Sequence, residues 1–483
     1  SLGGNVTTTG AQTFNDAVSL TASVVLSGAS ITTGSTIAAG SNNLTITTDA
    51  LALGNSVSGT GALVVQPKTN STTIAIGSSA SGVLALSDTE LGYLTDGFNS
   101  ITLGSSTGTG VIDINYSAAS FTFADPLVVR SASGSITAVD ALRTGANALT
   151  LTTDGAISLA GVNSGALSVT GNAIALNSDI TTSGNQSYTG PVSLANNVTL
   201  ISGSSGAVSF SSTVNSANTT ARDLNISAGS GNVTFSGAVG NNYALGAIAI
   251  DTTGTTTFSS TVNAASLTTN TGGTTSLGGN VTTTGAQTFN DAVTVAGNIT
   301  LTSSAGAIAF INKVLSLVNQ PYSLTVSAAT QVIISDSIGI SASTTGSTLS
   351  TVYALRDFLV TAPTIRILAD VLTRRNQVFT GAVLIGDNGI KGFLYEYYLT
   401  LLTSIDPLKP LPTLVNPIYA RTFISIDPSI KFVGTIDDTV KNTHALYSAA
   451  ITHLAPGDVG FVAPAIEITK EIGKINPLHS MNL

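Results

Sequence analysis

The chain has no cysteine, no tryptophan and one methionine, and only 8% of its 483 residues are charged. Typical soluble domains carry roughly 25%, so few groups are left for ionic chemistry. With no cysteine and three histidines (His444, His453 and His479), a His/Cys metal site is effectively excluded. Missing cysteine fits an exported protein stabilised by stacking and not by disulfides, although cytoplasm is equally compatible. No apolar run approaches the roughly 18–20 residues that span a bilayer. The most suspicious stretch, Gly392 to Leu402, is short and contains Glu396. Basic residues are scarce too: the net charge is −9, and no basic cluster exceeds Arg374-Arg375. A nucleic-acid partner would need a basic stripe to release counterions from phosphate, so none is expected.

What the chain does have is repetition. Asn5 to Val18 reads NVTTTGAQTFNDAV and returns letter for letter at Asn280 to Val293, with Ser1-Leu-Gly-Gly repeated upstream as Ser276-Leu-Gly-Gly. Two diverged copies run from Asp179 to Asn197 and from Asp370 to Asn388. Aligned, they give a column of Gln12, Gln186, Gln287 and Gln377 and one of Phe14, Tyr188, Phe289 and Phe379. Columns of Val18, Val192, Val293, Val383 and of Leu20, Leu194, Val295, Ile385 follow. Apolar letters two apart have the strand period, and pairs such as Asn15-Asp16 and Thr189-Gly190 suit tight corners.

Short strands, sharp corners and a recurring inward column predict an all-β fold, a right-handed parallel β-helix (β-solenoid). The Gln column is expected to form a stacked amide ladder. Copy spacings of 101, 191 and 275 share no small period, so coil lengths are irregular. At roughly 20–25 residues per coil and about 4.8 Å per coil, about 20 coils would make a rod on the order of 100 Å.

Charge and proline divide the chain. Residues 1–350 carry five of the 16 Lys/Arg and 14 of the 25 Asp/Glu, whereas nine of the 13 prolines lie beyond 350. This predicts a repetitive acidic β-solenoid over 1–350 and its continuation over 351–483, with a Pro/Tyr-rich loop excursion near 389–420. A short helical insertion is expected near 87–96. There Ser87 precedes Glu90 as in a capping box, Leu91 and Leu94 are three apart, and Gly97 supplies a stop. Ser1 falls inside a repeat and no signal peptide is visible, which predicts a processed product or an excerpt of a longer polypeptide.

Gly59-Thr-Gly-Ala-Leu-Val-Val-Gln-Pro67, Leu86-Ser-Asp-Thr-Glu-Leu91 and Gly97-Phe-Asn-Ser-Ile-Thr-Leu103, with the serial GNVTTTGAQTFNDAV-type repeats, resemble filamentous haemagglutinin-like bacterial surface adhesins. The resemblance covers most of the chain and thins between 389 and 420. It implies export across a Gram-negative envelope, often by a two-partner route, and a β-solenoid displayed at the cell surface.

Candidate chemistry is thin. Asp437-Asp438 is the sole adjacent acidic pair, and His444, His453 and Asp458 could be drawn beside it as an acid–base or metal cluster. Neighbours on a strand point to opposite faces, so solvated loop residues are the preferred reading. Gly229-Ser-Gly231 lacks a phosphate-loop lysine, and no GGxGxD calcium repeat occurs. Thr-x-Thr pairs such as Thr45/Thr47 and Thr150/Thr152 raise an ice-binding ladder as a minor reading.

No catalytic, cofactor or metal residue is therefore assigned. The expected function is a non-enzymatic extracellular structural protein, a rod-like adhesin stalk or fibre-forming segment. Its partners would be further copies of itself, head to tail or lateral, or a host or neighbouring cell surface. The alternatives are a polysaccharide-acting enzyme on a β-helix and a shell protein of the S-layer or tail-spike kind.

Overall fold

The computed structural model describes residues 1–117, 121–203, 205–340 and 353–385, together with the strands Tyr419–Ser425, Ser429–Val433, Ile436–Asp438, His444–Ala450, Ala465–Ile468 and Ser480–Asn482. The chain folds as an all-β solenoid of about 18 turns whose paired strands run parallel. The excursion expected near 389–420 lies outside the described residues, apart from Tyr419 and Ala420. Two compact units are distinguished, Ser1–Leu245 and Gly246–Leu483.

In the first unit each coil lays down up to three short strands, one on each side. The first side runs, in spatial order, from Val6–Thr7 through Val24–Ser27, Leu44–Thr47 and Ala62–Gln66 onward to Gln186–Thr189, Val208–Phe210 and Val233–Phe235. The second side begins with Ala11–Phe14, Ser30–Thr33 and Ala50–Leu53; the third begins with Val18–Ser19, Ile37–Ala38 and Val57–Ser58.

Period-two alternation fixes what faces inward. Leu149 and Leu151 are buried, whereas the alternate residues Thr150 and Thr152 are not. Register then stacks like on like: Leu26, Ile46, Val65, Leu103, Val129, Leu151, Val169, Tyr188, Phe210 and Phe235 form one column down the first side. Burying each such side chain contributes about 1.5–3 kcal/mol. At the end of this column Tyr188, Phe210 and Phe235 stack face to face, with successive centroids 5.0 Å apart.

The second unit follows the same grammar with longer strands. Thr255–Phe258, Thr274–Leu277, Ala292–Val295 and Val314–Ser316 make one sheet. Val262–Thr269 serves two positions at once, pairing with Val281–Thr283 and then with Gln287–Phe289. Phe358–Ile367 and Gln377–Ile385 likewise run through two positions, with a register shift between Thr361 and Thr364.

The repeat does not return to the same side each time. In the first unit Gln12 pairs with Ile31 on the second side, whereas Gln186 sits between Leu167 and Val208 on the first. In the second unit Gln287 sits between Leu267 and Ile308, and Gln377 between Phe358 and Ile430, in the other row of the same coils. Within each unit the motif is thus turned by one side between copies. Coil lengths also differ, the stacked residues Leu26, Ile46, Val65 and Leu103 standing 20, 19 and 38 positions apart, so no small common period exists.

The expected amide ladder is accordingly absent: these register partners of the glutamines are apolar. Threonine stacking is local only: Thr45 is flanked by Val25 and Val64, whereas Thr152, Thr170 and Thr189 lie in register on three successive coils.

Candidate functional site

Regular coiling breaks at one place among the described residues, between the strands Ala62–Gln66 and Leu127–Arg130. Ile74–Ile76 pairs in parallel with Ile112–Ile114 on one flank and with Leu84–Leu86 on the other. Chain order 74, 84, 112 therefore becomes spatial order 84, 74, 112. The loop 77–83 carries the chain back. It starts at Gly77, whose φ of +104° and whose backbone closeness to Asn115 O, 2.3 Å from where a Cβ would sit, suit only glycine.

Leu84–Leu86 leads directly into the inserted helix, Asp88–Gly92, capped by Ser87 with the expected capping box. The helix ends at Gly92 with Tyr93 as its C-cap, not at Gly97: with Leu91 buried and Leu94 bridging to Val57, the chain already rejoins the third side. Gly97 serves the next corner instead, with φ +130°.

Acidic side chains hold this detour in place by accepting backbone N–H groups that no strand satisfies. Glu90 Oε2 accepts from Ser87 N (2.9 Å), and its Oε1 accepts from Leu53 N (2.9 Å), tying the helix to the solenoid. Asp88 takes Ser78 N (3.0 Å) on one oxygen and Ser117 N (2.9 Å) on the other. Asp113 takes Ser81 N, and Asp140 takes Tyr116 N, each at 2.8 Å.

Asp49 gathers the 67–73 loop through Lys68 N, Thr69 N and the Thr69 and Thr72 hydroxyls. Partial burial pushes its carboxyl up, but the Thr69, Thr72 and Lys68 bonds outweigh this and hold it below the usual range. The buried Tyr116 hydroxyl is pushed well up, by desolvation first and then by Asp140 and Asp88. Carboxylates spent in this way serve as anchors for backbone, and sequence reading missed their role. The detectable signal was the twin Ile-Ala-Ile and Leu-Ala-Leu, whose register partners Ile74 and Leu84 are too close in sequence to be a full coil apart.

Asp125 stands apart from these anchors. It is 3% exposed; Oδ1 accepts from Gly97 N at 2.9 Å, while Oδ2 is buried without a hydrogen bond. Burial raises its pKa and the neighbouring Asp96 raises it further, against the opposing pull of the Gly97 and Phe98 amides.

The repeat itself is a corner device. In all four copies the glutamine Nε2 lies within hydrogen-bonding reach of the hydroxyl four residues earlier: Thr8, Thr182, Thr283 and Thr373, at 3.2 to 3.3 Å. In three of them it also donates to a carbonyl of the next coil: Ser27 O, Ile201 O and Thr302 O. The leading Asx does similar work. Asn5, Asp179 and Asn280 each accept the amide of the residue twenty further on: Val25, Thr199 and Thr300.

No family model, curated protein or solved structure matches this chain. Among the described residues no group of three His, Asp or Glu side chains is placed to hold a metal, and no helix is long and apolar enough to cross a membrane. Asp437 and Asp438 lie in Ile436–Asp438, paired with Leu384 and Ile385, whereas His444 opens a strand of a different sheet, opposite Tyr419. His453, Asp458 and His479 lie outside the described residues.

Proposed function

We propose that this chain is a non-enzymatic structural β-solenoid, a stalk or fibre segment exposed outside the cell. Its activity is to hold a stiff, parallel-stacked scaffold that reaches a cell surface or further copies of itself. The observation that carries this reading is the use of polar chemistry. Glu90, Asp88, Asp113, Asp140 and Asp49 accept backbone N–H groups, and the repeat's Asn, Thr and Gln side chains close corners between coils. Asp49, which accepts two amides and two hydroxyls, is held below the usual carboxylate range and is a poor general base.

The haemagglutinin-like repeats support a surface setting, as does an outward face of Thr, Ser and Asn with few charges to repel a neighbouring copy. Electron microscopy of the purified full chain tests the proposal, together with adhesion of beads coated with it to bacterial and host cells. Elongated particles or filaments with adhesion above an albumin control are expected. Compact particles, or catalytic depolymerisation of a polysaccharide panel, would overturn it.

A further inference from the structure

We propose, independently of the adhesin reading, that Asp291 anchors a buried site for an alkali cation, sodium or potassium, walled by oxygens from three successive coils of the second unit.

Three segments stack to make this corner. Thr252 and Gly254 stand on the first coil, Thr269 to Thr275 pass the corner on the second, and Phe289 to Ala292 pass it on the third. Asp291 is fully buried there, its Oδ1 accepting Gly273 N (2.8 Å) and its Oδ2 the Thr275 hydroxyl (3.2 Å). Among the described residues no cationic side chain pairs with it. Lys313 stands at the same corner one coil further on, where its carbonyl accepts Val293 N (2.7 Å), and it makes no ion pair with Asp291.

Two further hydroxyls are enclosed in the same corner without a partner. Thr256 is the register neighbour of Thr275 one coil earlier, Thr269 is that of Phe289, and both are fully buried with Oγ1 unbonded. Asn290 Nδ2 donates to Thr269 O at 2.6 Å, which ties Thr269 to the segment that carries Asp291. Gly273 completes the wall. The place that a Cβ would take on it lies 2.6 Å from both Thr252 O and Gly254 O and 3.3 Å from Asp291 Oδ1. Two carbonyls and the carboxylate therefore converge on its bare face.

Unbonded hydroxyls and a lone carboxylate, all desolvated, are costly unless something pairs with them. The donor set selects what that is. Oxygens alone, with no sulfur or imidazole, suit a hard cation. One carboxylate balances one positive charge, whereas a divalent ion would leave net charge buried and normally draws in more carboxylates. Water would bond the hydroxyls yet leave the carboxylate uncompensated. The chain is exposed beside the wall, at Thr253, Thr271 and Gly272, which offers an entry path.

Thermal unfolding of the full chain at pH 8, in sodium, potassium or choline chloride at equal ionic strength, tests this. Replacing choline by about 100 mM sodium or potassium should raise Tm by about 3 °C or more, as for any ligand that binds the native state. Thr256→Val keeps the outline of the side chain and removes one oxygen. It should melt no lower than the unaltered chain in choline, yet need about fivefold more alkali cation or above for the same rise. Asp291→Asn should melt above the unaltered chain in choline and lose the rise altogether, so that added alkali cation narrows the gap. Asp16→Asn, at the exposed copy of this position, should keep the full rise. Equal melting in all three salts, or a full rise in either Asp291→Asn or Thr256→Val, would overturn the proposal.

Discussion

Phe14 and Phe289 hold the same place in the same eighteen-residue sequence, yet Phe14 is half-buried and Phe289 is fully enclosed. The difference lies in what is stacked on each. Ala11–Phe14 pairs on one flank, where Phe14 meets Thr33. Gln287–Phe289 pairs on both: Thr269 lies on one side and Phe310 on the other, its ring 5.6 Å from that of Phe289. Asp16 and Asp291 diverge in the same way, the first exposed and the second completely buried beneath Gly273 N and the Thr275 hydroxyl. Sequence sets which atoms face inward; neighbouring coils set how much each atom is worth.

The largest test of that statement is truncation. Phe289→Ala should cost about 3–5 kcal/mol, as expected for a fully buried phenyl. Phe14→Ala should cost about 1 kcal/mol, because much of its ring already meets water. Hydrogen exchange of peptides covering the two copies, compared with urea unfolding of the whole chain, would measure both. Equal losses would mean that the motif, and not its neighbours, determines stability.

Next comes charge. Burial raises the Asp291 carboxyl above its ordinary range, against the pull of Gly273 N and the Thr275 hydroxyl. A folded pKa above the unfolded one means that the native protein favours the protonated form. This contribution is present below the unfolded pKa and is lost as pH rises through the folded pKa. Asp291→Asn should therefore raise the melting temperature at neutral pH, with the advantage fading in acid. Asp16→Asn, on an exposed side chain, should leave it unchanged to within about 0.5 kcal/mol. A pH-independent gain at Asp291 would show that the carboxyl does not titrate in the fold.

The third test exchanges the two aromatic types. Gln186 Oε1 accepts from the Tyr188 hydroxyl at 2.9 Å, whereas Gln287 Oε1 is buried without a partner beside Phe289. Tyr188→Phe should cost, and Phe289→Tyr should gain, about 1 kcal/mol each, the net worth of a hydrogen bond. A loss at Phe289→Tyr in thermal unfolding would mean that this corner cannot admit the hydroxyl.

Much of this architecture was legible before any coordinate. Period two within the runs identified Val18, Val192, Val293 and Val383 as core, and all are buried. The capping box at Ser87 and Glu90 gave the inserted helix. Relations between coils were hidden. Nothing in the Gln12 and Gln186 segments says that one stands on the second side and the other on the first, because a corner built from Thr-x-x-x-Gln fits more than one corner of a near-triangular coil. Stacking partners were unreadable for the same reason: an aligned column of glutamines became four separate corner bonds among apolar neighbours. The acidic anchors around the inserted helix escaped notice because each accepts an amide far away in sequence, such as Leu53 for Glu90.

One feature of the repeat should not distinguish the copies. Asn5 Oδ1 accepts Val25 N, and Asn280 Oδ1 accepts Thr300 N, both at 2.8 Å and both at an exposed corner. The bond runs forward to the next coil, so it does not depend on what lies behind the motif. Asn5→Ala and Asn280→Ala should each cost about 0.5–1.5 kcal/mol, and by the same amount within error. Asn5→Asp and Asn280→Asp should retain most of it, since Asp179 makes the equivalent bond to Thr199 N at 2.7 Å. Unequal alanine losses in hydrogen exchange at Val25 and Thr300 would show that environment reaches even this contact. Equal ones would separate the part of the repeat that carries its own energy from the part that borrows it from neighbouring coils.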